Sequence, residues 1–177
     1  MNDESNSNSI KVLQYIQNNP GCHLRQVKRE LTMSMGTIQY HLNLLEKNGR
    51  ISSERRNLYK HYFPIGLFEQ NEKDILKILN QETAREILMI ILEKKPTQTD
   101  IANIIQISSA SVNWHIKRLI DFGLILEQKD GKFKRYTLGV DSKNIISLMK
   151  NYHPNIWSIW SNRLAEMFLS LSKEENE

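Results

Sequence analysis

The chain has 177 residues, with 24 Lys and Arg against 20 Asp and Glu, a single Cys, and 40% apolar residues. That length suits one ordinary domain or two small ones, and the balance is that of a folded chain. One Cys makes no intramolecular disulfide, and the longest apolar run, the six residues Ile87 to Leu92, is far short of the ~20 that span a bilayer, so a cytoplasmic protein without a membrane partner is expected.

Residues 1–9, MNDESNSNS, are polar and slightly acidic and read as a disordered N-terminus without a signal sequence. Ile10 to Asn18 then carries apolar residues at helical spacing, and Asn19-Pro20-Gly21 ends it. His23 to Leu31 places Leu24, Val27 and Leu31 on one face. After Thr32-Met33, Ser34 caps a third helix, Met35 to Asn48, with Ile38, Leu42 and Leu45 inward and Gly49 as its stop. Ile51 to Glu54 and Tyr59 to Phe63 alternate like paired strands.

Residues 67–82 read as a helical linker through Ile75, Leu76 and Leu79. The plan then repeats: helices over Thr83 to Lys94, Thr99 to Ile105 and Ser108 to Phe122, then Gly123 and a hairpin turning at Asp130-Gly131. Ser142 to Tyr152 and Asn155 to Leu171 read as C-terminal helices, and 173–177 as a frayed tail.

A gap-free offset of 74 lays Ile10–Pro64 on Ala84–Leu138, pairing Ser34 with Ser108, His41 with His115, Gly49 with Gly123 and Tyr62 with Tyr136. The apolar pattern matches as well, as in Leu13/Ile87, Val27/Ile101, Ile38/Val112 and Leu42/Ile116. The expected fold is therefore mainly α with small β-wings (α+β). It comprises domains at 10–66 and 83–140, a linker at 67–82, and C-terminal helices at 141–172. Charge follows the repeat: 10–66 holds nine basic against three acidic residues and 83–140 nine against six, while the flanking segments are net acidic.

The stretches LTMSMGTIQYHLNLLEKNGRI and IQISSASVNWHIKRLIDFGLI resemble the second and third helices of ArsR/MarR-like winged helix-turn-helix regulators. Ser34, Thr37, Ile38, His41, Leu42, Leu45, Gly49 and Ile51 meet that family's pattern once. Ser108, Ser111, Val112, His115, Ile116, Leu119, Gly123 and Ile125 meet it again. The whole chain is similar to archaeal transcriptional regulators with two such domains. The resemblance implies a DNA-binding transcriptional regulator with double-stranded DNA as partner and no enzymatic activity.

In such a fold the third helix enters the major groove. That makes Gln39, Tyr40 and Asn43, then Asn113, Trp114, Lys117 and Arg118, the base-reading candidates; Lys117 and Arg118 equally suit the backbone, and Trp114 suits a sugar or the neighbouring wing. Phosphate candidates in the first copy are Arg25, Lys28, Arg29, Ser34, Thr37, Lys47, Arg55, Arg56, Lys60 and His61. In the second they are Ser109, Ser111, Lys129, Lys132, Lys134 and Arg135, so the first copy is expected to bind phosphate more strongly. Tyr59, Tyr62, Phe133 and Tyr136 are expected to pack wing against core.

The C-terminal stripe Ile156, Trp157, Trp160, Leu164, Met167, Phe168 and Leu171 suggests a homodimer interface, because ArsR-like proteins pair through terminal helices. His41 and His115 adjoin core positions and read as packing or phosphate contacts, and Cys22-His23 alone cannot build a tetrahedral site, so neither metal nor cofactor is expected. No phosphate-cradling glycine motif or zinc-protease motif occurs. Two other readings remain: a winged-helix interaction module within transcription machinery, and a ligand-responsive ArsR-like switch.

Overall fold

The computed structural model describes residues 2–56 and 58–162. Contacts divide the chain after Asn80 into two units.

In the first unit, α1 (Asn2–Asn18) leads into β1 (Cys22–His23), α2 (Leu24–Leu31), α3 (Met35–Lys47), β2 (Ile51–Arg56), β3 (Tyr59–Pro64) and α4 (Gln70–Leu79). Helix α1 begins eight residues before the expected start, so the polar lead is helical rather than disordered. Val12 and Ile16 of α1, Val27 of α2, and Ile38, Leu42 and Leu45 of α3 meet Cys22, Ile51 and Tyr62 in one core. Each helix contributes its apolar stripe and leaves its polar face outside, the arrangement that 3.6-residue periodicity dictates.

The helix boundaries follow local chemistry. The amide of Gln26 donates to the His23 ring and the Gln26 side chain accepts from the His23 amide, which closes a capping box on α2. Ser34 accepts from the Thr37 amide at 3.1 Å, and Gly49, at φ +64°, ends the third helix in the left-handed conformation that costs glycine least.

Strands β1, β3 and β2 form an antiparallel sheet in that order, with His23 opposite His61. The segment expected as a linker is helical, and α4 belongs to the first unit by its contacts. Asn80 donates to the Pro20 carbonyl at 2.9 Å, and Gln26 donates to the Asn80 carbonyl at 3.3 Å. Gly21 has φ +83°, and a Cβ there would lie 3.2 Å from backbone atoms of Leu76 and Lys77.

The second unit runs α5 (Glu82–Glu93), α6 (Gln98–Ile105), α7 (Ser109–Asp121), β4 (Ile125–Asp130), β5 (Phe133–Leu138) and α8 (Ser142–Tyr152), and residues 154–162 are helical. Its elements repeat α2, α3, β2 and β3 residue for residue at the offset of 74. The finer devices repeat as well. Ser108 caps α7 through the Ser111 amide, Gly123 takes φ +69°, and Thr97 bridges Arg135 where His23 pairs with His61. Thr32 and Gln106, 74 apart, both hold left-handed backbone in the turn before the third helix.

Candidate nucleic-acid interface

Helix α3 buries Ile38, His41, Leu42 and Leu45, and this turns Gln39, Tyr40, Asn43 and Lys47 to solvent. Helix α7 buries Val112, Ile116 and Leu119 and exposes Asn113, Trp114 and Lys117. Gln39 and Asn113, amides able to donate and accept, therefore stand at the same register on both helices, and Asn43 is matched by the donor Lys117. Each helix starts from a serine cap beside free-ended backbone amides, a setting that favours an anion. Ser34 also bonds the Thr37 hydroxyl, 2.7 Å away, and Ser108 donates to the Ser111 hydroxyl at 3.0 Å, while Ser109 is exposed.

Arg118 differs from the other expected readers. It is partly buried, donates to Gln81 Oε1 at 2.7 Å, and lies 4.6 Å from the Trp114 ring centre. Its guanidinium therefore braces the helix rather than projecting from it.

Arg25, Lys28 and Arg29 line the exposed side of α2, with Arg29 ion-paired to Glu30 at 3.0 Å. On the first wing Arg55 is exposed, whereas the Arg56 side chain lies outside the described residues. Lys60 pairs with Glu46 at 2.7 Å, and with a contact from Ser53 this holds the Glu46 carboxyl below its ordinary range.

His61 corrects an expectation: it is 6% exposed and donates Nδ1–H to the Gly21 carbonyl at 2.8 Å. The two-residue strand β1 pairs with the edge of β3, and the buried His61 ring ties sheet to turn and is unavailable to a phosphate. On the second wing Lys129 and Lys132 are exposed, while Lys134 pairs with Glu127 at 2.8 Å. Arg135 is bound to Asp130 and also donates to the Lys95 carbonyl at 3.0 Å.

The wing aromatics split. Tyr62 and Tyr136 are buried as expected, but Tyr59 and Phe133, a repeat pair, are 42% and 52% exposed. Tyr59 stacks on His23 at 5.0 Å with Arg25 beyond it, an assembly that strand alternation alone does not reveal because β1 has no sequence signal of its own.

Sequence reasoning also missed the clamp behind the first wing. Glu54 accepts from Lys73 at 2.9 Å, from Lys77 at 2.6 Å and from Gln70 at 3.3 Å, and Lys77, 2% exposed, also meets Asp74 at 3.0 Å. Burial alone would raise the Glu54 carboxyl, but these donors carry it down to about 2. The opposite charges at Glu54 and Lys77 were visible in the sequence; their separation of 23 residues hid the pairing.

Burial lowers the His41 and His115 pKa values, and neither Nδ1 has a hydrogen-bond partner. Both imidazoles are therefore neutral packing groups. The Cys22 thiol is buried and pushed up to about 12, which makes it a poor nucleophile and a poor metal ligand. In the C-terminal stripe, Trp160 is 5% exposed and so belongs to the chain's own packing; Ile156 and Trp157 are partly buried, and Leu164, Met167, Phe168 and Leu171 lie outside the described residues.

Comparison with known proteins places two family models in tandem. An N-terminal HTH domain matches residues 6–76, and a winged helix-turn-helix DNA-binding domain matches 68–125. An HTH-type transcriptional regulator of Methanocaldococcus jannaschii is 28% identical over 127 residues, covering 71% of this chain. The chain spans about a third of that relative's length, 32%.

A cadmium resistance transcriptional regulatory protein CadC homolog of Staphylococcus aureus is 31% identical over 88 residues, which cover 48% of this chain and 71% of that protein. Among solved structures, HlyU from Vibrio cholerae aligns over 48% of this chain and 98% of its own, at 22% identity and TM-score 0.41. An ArsR-like regulator from Rhodococcus aligns over 55% and 89%, at 22% identity and TM-score 0.39.

Proposed function

Because the chain belongs to the winged helix-turn-helix transcriptional regulators, we propose that it binds double-stranded DNA with α3 and α7 in major grooves and its two wings along the phosphate backbone. The observation that carries this reading is the exposed polar face at one register on both helices, Gln39, Asn43 and Lys47 on α3 and Asn113 and Lys117 on α7. Gln39 and Asn43, one turn apart, suit adenine N6 and N7, and Lys117 suits guanine or a phosphate. Arg25, Lys28, Arg55, Lys129 and Lys132 are the phosphate-binding cations, with Ser34, Thr37, Ser109 and Ser111 at the helix starts. Lys60 and Lys134 already hold carboxylates, so they contribute less. Two chains pair through the C-terminal helical segment, where Ile159 is 61% exposed.

Titration of duplex at several salt concentrations tests the proposal. Affinity should fall as salt rises, with a log–log slope of about −0.9 per phosphate neutralised. Arg55→Ala or Lys129→Ala should weaken binding to every sequence and flatten the slope by about one. Gln39→Ala or Asn43→Ala should instead relax the preferred sequence, and the bound species should have the mass of two chains. Salt-independent binding, or binding to no duplex, overturns the reading.

A further inference from the structure

Two large aromatic side chains are left in solvent at the same place in both copies. Tyr40 of α3 is 59% exposed and Trp114 of α7, at the offset of 74, is 54% exposed. Apolar surface of that size is stabilised by an apolar partner, and it recurs here beside the polar side chains Gln39 and Asn43 in one copy and Asn113 and Lys117 in the other.

Each ring is fixed from behind. Tyr40 stands edge-on to His41 with ring centres 5.2 Å apart at 75°, and Trp114 stands edge-on to His115 at 4.8 Å and 86°. Arg118, itself anchored on Gln81, adds a cation over the Trp114 ring. One turn ahead of each ring the helix carries a minimal side chain, Gly36 before Tyr40 and Ala110 before Trp114. A Cβ built on Gly36 would meet nothing within 4 Å. The helix surface one turn ahead of each ring therefore carries no side chain at Gly36 and a single methyl at Ala110.

In the major groove the C5-methyl of thymine is the one apolar feature among the base edges. We propose that Tyr40 and Trp114 are matched specificity determinants that each take a thymine methyl against the exposed part of the ring. The adenine-directed amides of Gln39 and Asn43 next to Tyr40 make the first copy a reader of A·T pairs on both strands. This inference rests on the DNA-binding reading above.

The test replaces each thymine of a selected duplex by uracil, one at a time, which deletes only the methyl group, and measures binding of the full chain. At one or two positions per half-site, affinity should fall about four-fold, the value of one apolar carbon removed from water. In Tyr40→Ala that sensitivity should vanish for one half-site, and in Trp114→Ala for the other, with Tyr40→Phe retaining it. Thermal melting of each variant establishes that it is folded. Sequence-specific binding that is indifferent to uracil everywhere overturns the inference while leaving DNA binding in place. Binding to no duplex overturns both.

Discussion

At Gly36 stability and the proposed DNA contact make opposite demands on one residue. Glycine costs about 1 kcal/mol relative to alanine in a helix interior and less in the first turn, where Gly36 stands, and the space around it would accept a methyl without a clash. The equivalent residue of the other copy is Ala110, so alanine suits this position of the fold. Gly36→Ala should raise unfolding free energy by about 0.5 kcal/mol in urea titration, below the full interior value, while duplex affinity falls because the added methyl occupies the approach to the base edges. A variant that gains stability with unchanged affinity would show that nothing comes close to the helix there.

The residue scale is also where sequence reading succeeded and failed for identifiable reasons. Ser34, Gly49 and their repeat partners were legible because caps and stops are local chemistry. His61 and Arg118 were misplaced because their partners, Gly21 and Gln81, lie far away in sequence.

At the scale of elements, the clamp from α4 to β2 holds the first wing. Glu54 is about a quarter exposed, and its carboxyl lies at about 2 in the fold against an ordinary 4.5. The group stays ionised in the folded chain while the unfolded chain takes up a proton. Its contribution is therefore full above about pH 4.5 and is lost as pH falls toward 2. A shift of that size corresponds to about 2–3 kcal/mol after allowance for solvent screening.

Glu54→Gln should cost a similar amount at pH 7, since Lys77 keeps Asp74 but loses the second carboxylate. Chemical denaturation across pH 2–7 checks this: the gap between parent and variant should narrow steadily below pH 4.5. A constant gap would mean that packing, not charge, sets the loss. The alternation of β2 and β3 was readable in the sequence because it is a period-two pattern. The start of α1 was not, because the Asn- and Ser-rich residues at its head carry no apolar stripe to signal a helix.

For the whole molecule, the repeat extends beyond the three helices and hairpin that the apolar pattern revealed. A helix follows the wing in each copy, α4 in the first and α8 in the second, starting within two residues of the same offset. The first unit closes on its helix through Gly21, Asn80 and the Glu54 clamp, and the family model for that region likewise runs to residue 76. Reading 67–82 as a helical linker followed from its short length and the spacing of Ile75, Leu76 and Leu79, whereas Gln70, Lys73 and Lys77 of the same segment fasten α4 to Glu54 of the wing.

Because contacts group the chain up to Asn80 as one unit, we propose 1–80 as the folding unit in place of 10–66. A fragment of residues 1–80 should melt cooperatively. A fragment of 1–66 leaves Phe63 without Phe68, Lys73 and Lys77 over its ring, and leaves Glu54 without its cations. It should melt at a temperature lower by ten degrees or more, on the scale of about 4–8 °C per kcal/mol for a domain this small. Equal melting of the two fragments would return α4 to the role of a connector and confine each copy to its three helices and wing.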